Sequence, residues 1–270
     1  MNRQIQMPRS LIVLLLGAAL LGGCGGTKVL KEPRPMQATQ PLAANADQRL
    51  RATLDWVIVR HGPGTWAKNA DWDEYLLRVS NLSDQPIQIT GLIVVDSLTT
   101  PIDSQPGRKK LVKGSKKTAR RYKDSGLKVK AGRGAGTMLV AGAAVTAVGV
   151  SAASAVAYGS ILSGTTAGSA GAAVGGVLLL GPVIAVGGVV RGVNNSAVNK
   201  QIESRQTQFP LGLPAMEEAA LDVFFPLAPS PQRIELTYAD DTGEHVLLID
   251  TQTVLDGLHL DGAEASTHSV

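Results

Sequence analysis

A mainly β chain with an inserted α hairpin is the fold class this sequence predicts. Three observations carry that expectation. Short runs rich in β-branched and aromatic residues, bounded by Gly, Pro, Asn and Asp, recur on both sides of the chain's middle. One of them, Arg233 to Tyr238, alternates polar with apolar residues as a half-buried strand does. The middle itself, Gly134 to Val190, contains no Asp, Glu, Lys, Arg or His. The expected architecture is an antiparallel β-sandwich built from both flanks and interrupted by two Gly/Ala-rich apolar helices.

On the N-terminal side, strands are expected at Leu54 to Val59, Tyr75 to Val79 and Ile87 to Val95. The last two flank the turn signal Asn81 to Pro86 and read as a hairpin. On the C-terminal side, strands are expected at Leu221 to Phe225, Arg233 to Tyr238 and His245 to Ile249. Turns are expected at Pro226 to Pro231 and Asp240 to Gly243. Tyr75 to Val95 resembles the strand, Asn-containing turn and strand of immunoglobulin-like periplasmic modules, without the cysteines and core Trp spacing of true immunoglobulin domains. That resemblance makes the expected sandwich an immunoglobulin-like one.

The N-terminus reads as an export signal. Arg3 and Arg9 supply a positive start, and Leu11 to Leu21 form an apolar stretch too short for a durable span. The single cysteine of the chain, Cys24, ends this run, so no disulfide framework is available. Leu21-Gly22-Gly23-Cys24 resembles the lipobox of bacterial lipoproteins. The resemblance implies diacylglycerol on the Cys24 thiol, cleavage after Gly23 and acylation of the new amino terminus, and so stable anchoring by several acyl chains. Gly25 stands where Asp often signals inner-membrane retention in that class, which implies outer-membrane delivery facing the periplasm.

The expected organisation is a signal peptide over 1–23, a lipidated tether over 24–50 and a first part of the sandwich over 51–103. A basic linker over 104–133, an apolar hairpin over 134–192 and a connector over 193–215 follow. The second part of the sandwich spans 216–260, and a tail spans 261–270. Formal net charge is +4, but cations crowd between Arg108 and Arg133, where Lys109, Lys110, Lys116, Lys117, Arg120 and Arg121 are opposed only by Asp124. Such asymmetry points to an anionic surface, and headgroups attract each nearby Lys or Arg by about 1 kcal/mol before screening. Nucleic acid is not expected, because Tyr122 is the only aromatic in the run and the export signal directs it out of the cytoplasm.

The central block divides at Ser163 to Ser169 into arms of about 25 and 19 residues, roughly 37 and 28 Å long as helices. Small residues recur at four-residue spacing in the pairs Gly164 and Gly168, Gly171 and Gly175, Gly188 and Gly192, which lets a neighbouring helix approach closely. The block resembles the glycine-zipper hairpins of bacterial envelope proteins, and Pro182 departs from that pattern. Membrane engagement, a homo-oligomer or an envelope protein partner is what this implies.

Catalytic signals are sparse. Val59-Arg60-His61-Gly62 resembles the Arg-His-Gly signature of histidine phosphatases, in which His61 would accept phosphate and Arg60 would hold its oxygens. That family needs an alternating α/β domain and a second histidine after a late strand, whereas His245 precedes its strand. No metal-ligand spacing and no cofactor-binding loop is present, since Gly132 to Gly136 lacks the Lys-Ser/Thr ending of a phosphate loop. A non-enzymatic envelope lipoprotein is the expectation. A periplasmic phosphatase and a soluble partner-binding module are the alternatives.

Overall fold

The computed structural model describes residues 26–33, 40–136 and 191–261. These form β1 (Lys28–Val29), β2 (Ala43–Ala46), β3 (Leu50–Ile58), β4 (Ala67–Lys68), β5 (Trp72–Asn81), β6 (Ile87–Val95) and β7 (Pro101–Asp103), then helix α1 (Arg108–Asp124) and β8 (Lys128–Val129). Beyond the central block come helix α2 (Arg191–Arg205), β9 (Leu211–Leu213), β10 (Glu218–Pro226), β11 (Arg233–Asp240), β12 (Gly243–Asp250) and β13 (Leu260–Asp261). The protein is mainly antiparallel β with helices, and all six expected strands are present.

Two sheets organise the chain. One has the order β10-β5-β3-β2; the other runs β12-β11-β6-β7, with β9 also on β6. Each sheet joins strands from before and after the central block: β10 pairs with β5, and β11 pairs with β6. Alternation explains the packing. Leu221, Val223 and Phe225 of β10 join Tyr75, Leu77 and Val79 of β5 and Ile234, Leu236 and Tyr238 of β11 in one large core. Phe224, pointing the opposite way from β10, enters a second, smaller core beneath the helices.

Four expectations are corrected. Tyr75 to Val79 and Ile87 to Val95 do not form a hairpin, because β5 and β6 lie in different sheets. The Asn81 side chain directs the crossing by donating to the carbonyls of Gln85, Leu213 and Pro214 at 2.7, 3.2 and 2.9 Å. The basic linker over 104–133 is largely helix α1, and the connector over 193–215 holds α2 and β9. The tether over 24–50 is partly folded, since β1 pairs with β4 and β2 with β3. The apolar arms fall in 137–190, outside the described residues.

Candidate functional site on the helical face

Helix α1 forms because its less polar positions line up. Leu111, Ser115, Thr118 and Tyr122 are its buried residues and share one side of the helix. Its first N–H groups lack a local cap, and Asn199 of α2 reaches across to accept the N–H of Arg108 at 3.1 Å. At its end, Gly126 takes φ +79, and the N–H groups of Gly126 and Leu127 return to the carbonyls of Lys123 and Tyr122 at 3.0 and 2.8 Å. This glycine-terminated pattern satisfies carbonyls the helix would otherwise leave open.

Below the helices, Trp66, Trp72, Leu111, Val198, Ile202 and Phe224 form the second core. Trp66 meets Phe224 edge-on at 6.4 Å between ring centroids. Ser115 Oγ donates to the Asp71 carbonyl at 2.5 Å and accepts the Leu227 N–H at 2.9 Å, tying α1 to the sheet. Tyr122 places its hydroxyl 2.8 Å from Ser97 Oγ and donates to the Pro229 carbonyl at 3.2 Å; burial pushes this phenol up to about 12.

The outer side of α1 is cationic. Lys109, Lys110, Lys116, Lys117 and Arg120 are exposed, as are Lys113 and Lys123. Arg121 does not belong with them. It is half-buried, forms an ion pair with the fully buried Asp96, and lies 5.7 Å from the Tyr122 ring centroid.

Beneath α2 lies a charged cluster that sequence spacing does not reveal. Arg205 contacts Glu74 at 2.6 Å and Asp222 at 3.4 Å, and its guanidinium lies 5.3 Å from the Trp66 ring centroid. Trp66 Nε1 donates to Glu74 at 2.5 Å. Burial, then the neighbouring Glu74 charge, holds the Asp222 carboxyl well above its usual range, although Arg205 opposes this. Burial alone would lower Arg205, but Glu74 and Asp222 raise it. Burial first, and then a second carboxylate facing the same guanidinium, favour retention of a proton on Asp222.

At the root of the central block, His259 is fully buried. Its Nδ1 accepts the N–H of Gly132 at 3.0 Å, so the ring hydrogen sits on Nε2 and is donated to Asp73 at 2.9 Å. Both nitrogens are engaged, leaving this imidazole no edge for a substrate or metal. Gly132 and Gly134 have φ +78 and +74, and a Cβ on Gly132 would lie 2.0 Å from the Arg60 carbonyl.

The Arg60 guanidinium is used internally. Its Nε donates to the Ala70 carbonyl at 2.8 Å and its Nη2 to Asp71 at 2.5 Å. His245 lies 2.7 Å from Arg49, just before β3, whereas Arg60 and His61 follow the other end of that strand. The strand separates them by roughly 30 Å, so the two histidines of the phosphatase alternative are not brought together. Among the described residues, no group of three His, Cys, Asp or Glu is placed to hold a metal ion.

Comparison with family models, with curated proteins and with solved structures gives no match. Cys24, Gly164, Gly168, Gly171, Gly175 and Gly188 lie outside the described residues, while Gly192 is in the first turn of α2. No helix among the described residues is long and apolar enough to cross a membrane. Thr27, only 4% exposed, accepts Arg108 Nε at 3.0 Å, and Leu30 N–H donates to the Trp66 carbonyl at 2.8 Å. The site therefore gathers the N-terminal segment, the basic helix and the helix that follows the apolar block.

Proposed function

We propose that this chain is a non-enzymatic cell-envelope lipoprotein, anchored through acylated Cys24 in the outer membrane and facing the periplasm. The observation that carries the reading is the order of residues at the N-terminus: cations, apolar run, small residues, then the chain's single cysteine. In this reading the two sheets form an immunoglobulin-like sandwich, supported by their shared core. The Gly-rich hairpin enters the membrane or assembles with further copies, supported by its small residues at four-residue spacing and its lack of charge. The non-enzymatic assignment draws support from Arg60 Nε and Nη2 and from both ring nitrogens of His259, which are bound within the protein.

Acylation tests the anchor directly. Cells supplied with labelled fatty acid should yield a mature protein that begins at Cys24 and carries the label. Cys24→Ser should abolish both label and cleavage after Gly23. An uncleaved, unlabelled wild type refutes the lipoprotein reading. For the hairpin, Gly171→Leu with Gly175→Leu is introduced into a signal-swapped Cys24→Ser background. A zipper loses cross-linked assembly despite the gain in hydrophobicity; simple partitioning gives stronger vesicle flotation instead.

A further inference from the structure

We infer that the cationic side of α1 is a membrane-contact surface that lies on anionic headgroups of the leaflet receiving the acyl chains. The inference rests on the reading of Cys24 as the anchor and adds to it an orientation and a lipid class. Its first support is reach. Cys24 precedes Thr27 by three residues, which extend at most about 11 Å. Thr27 is buried and bonded to Arg108, the first residue of α1. An acyl anchor at Cys24 therefore has no long tether on which to lift α1 away from the bilayer.

The second support is the arrangement of charge. Leu111, Ser115, Thr118 and Tyr122 define the buried side of α1. At 100° per residue, Lys109, Lys113, Lys116 and Arg120 fall opposite that side. Their helix is about 25 Å long, so the cations form a stripe rather than a point. Among the described residues no acid pairs with Lys109, Lys113, Lys116, Lys117 or Arg120 within 4.0 Å.

A third feature is independent of the helix. Lys28 of β1 stands directly opposite Lys68 of β4, and both are exposed. Like charges in that register repel, and an anionic surface removes the penalty. Lys28 directly follows Thr27, whose hydroxyl accepts Arg108 Nε, so this pair adds positive charge close in the chain to the point where the anchor joins. The exposed stripe has no aromatic residue on which a base could stack, because Tyr122 faces inward, which favours lipid over nucleic acid.

The test uses the full chain with a swapped signal and Cys24→Ser, so that acyl chains do not mask the surface. Binding is compared between phosphatidylcholine vesicles and vesicles with about 30% phosphatidylglycerol, at about 0.1 M salt. At roughly fivefold per cation before screening, the anionic vesicles should bind at least tenfold more tightly. Lys109→Gln, Lys113→Gln, Lys116→Gln and Lys117→Gln together should lower that ratio several-fold, with binding to the neutral vesicles and the unfolding midpoint unchanged. Lys28→Gln with Lys68→Gln should lower the ratio several-fold without loss of stability. A ratio near one in the parent protein, an undiminished ratio in the quadruple variant, or displacement by a short DNA duplex at lower concentration than by anionic vesicles would each overturn the inference. The mass of the wild-type N-terminus decides the anchor separately: acylated protein with no anionic preference refutes this inference alone, whereas anionic preference without acylation refutes the anchor and sustains the surface.

Discussion

His259 and Asp73 form a fully buried pair, 2.9 Å apart, that closes the base from which the central block departs. The imidazole bridges two distant pieces of chain, because its other nitrogen holds Gly132. One ring thereby links β5 to the segment that leads into the block.

Removing the imidazole leaves a buried carboxylate without its donor. His259→Ala should cost about 3 kcal/mol or more, within the range for stripping one partner from a buried charge. Asp73→Asn keeps an oxygen to accept from Nε2 and should cost about 1 kcal/mol. In the Asp73→Asn background, His259→Ala should then cost clearly less than in the wild type. Urea unfolding of the four proteins checks this, and strictly additive losses would refute the coupling.

The Arg205, Glu74 and Asp222 cluster predicts a pH dependence of definite sign. The folded-state Asp222 carboxyl titrates above its unfolded value, so the folded state binds the extra proton. Its contribution is full below the ordinary carboxylate range and is lost as pH rises through the elevated value, with a slope of at most about 1.4 kcal/mol per pH unit. Asp47 and Asp240, both lowered, act in the opposite direction and only at acid pH. The stability difference between wild type and Asp222→Asn should therefore move in favour of the Asn variant between pH 5 and pH 8. A difference independent of pH would contradict a raised Asp222 carboxyl.

What was legible in the sequence follows from how each element is buried. Strands β10 and β11 announce themselves because hydrophobic and β-branched residues mark their buried positions, and Ile234, Leu236 and Tyr238 alternate visibly. Helix α1 is hidden by its own charge. Only Leu111 and Tyr122 of its four buried residues are conspicuously hydrophobic, and Ser115 and Thr118 complete the stripe through small size and hydrogen bonds. Strands β1 and β2 are two and four residues long and leave no period to detect. The basic face was readable as a cluster of charge, yet Arg121 looks like its neighbours until Asp96 is brought beside it. The Arg205 cluster was not readable at all, because its members lie on three separate elements and nothing local couples them.

Gly114 lies inside α1, where helix propensity alone favours Ala by about 1 kcal/mol. Packing reverses the preference. A Cβ there would lie 2.5 Å from Pro226 Cγ and 2.8 Å from Pro226 Cβ, atoms of a rigid ring in β10. Overpacking of this kind costs about 1–3 kcal/mol, so Gly114→Ala should destabilise the protein on balance. Thermal unfolding reports the sign; stabilisation would show that α1 stands further from β10 than 2.5 Å implies.

The strands and helices on the two sides of the central block assemble with one another, and this leads to a prediction about the block itself. Both hydrophobic cores described here are built from residues before 137 and after 190. The two roots are also held: Gly134 packs so closely on Gly257 that a Cβ would meet its carbonyl at 2.8 Å, and α2 is fixed through Asn199 and Arg205. Replacing residues 138–190 with a Gly/Ser linker of about 20 residues should preserve cooperative unfolding. The change in loop length alone is worth about 1 kcal/mol, since each halving alters closure entropy by about 0.6 kcal/mol. Near-ultraviolet circular dichroism from the buried Trp66 and Trp72 should be unchanged, and the urea midpoint should shift only by that amount. If the replacement instead abolishes cooperative unfolding, the block is part of the fold's own core. It would then not be free to act as the membrane or assembly element proposed above.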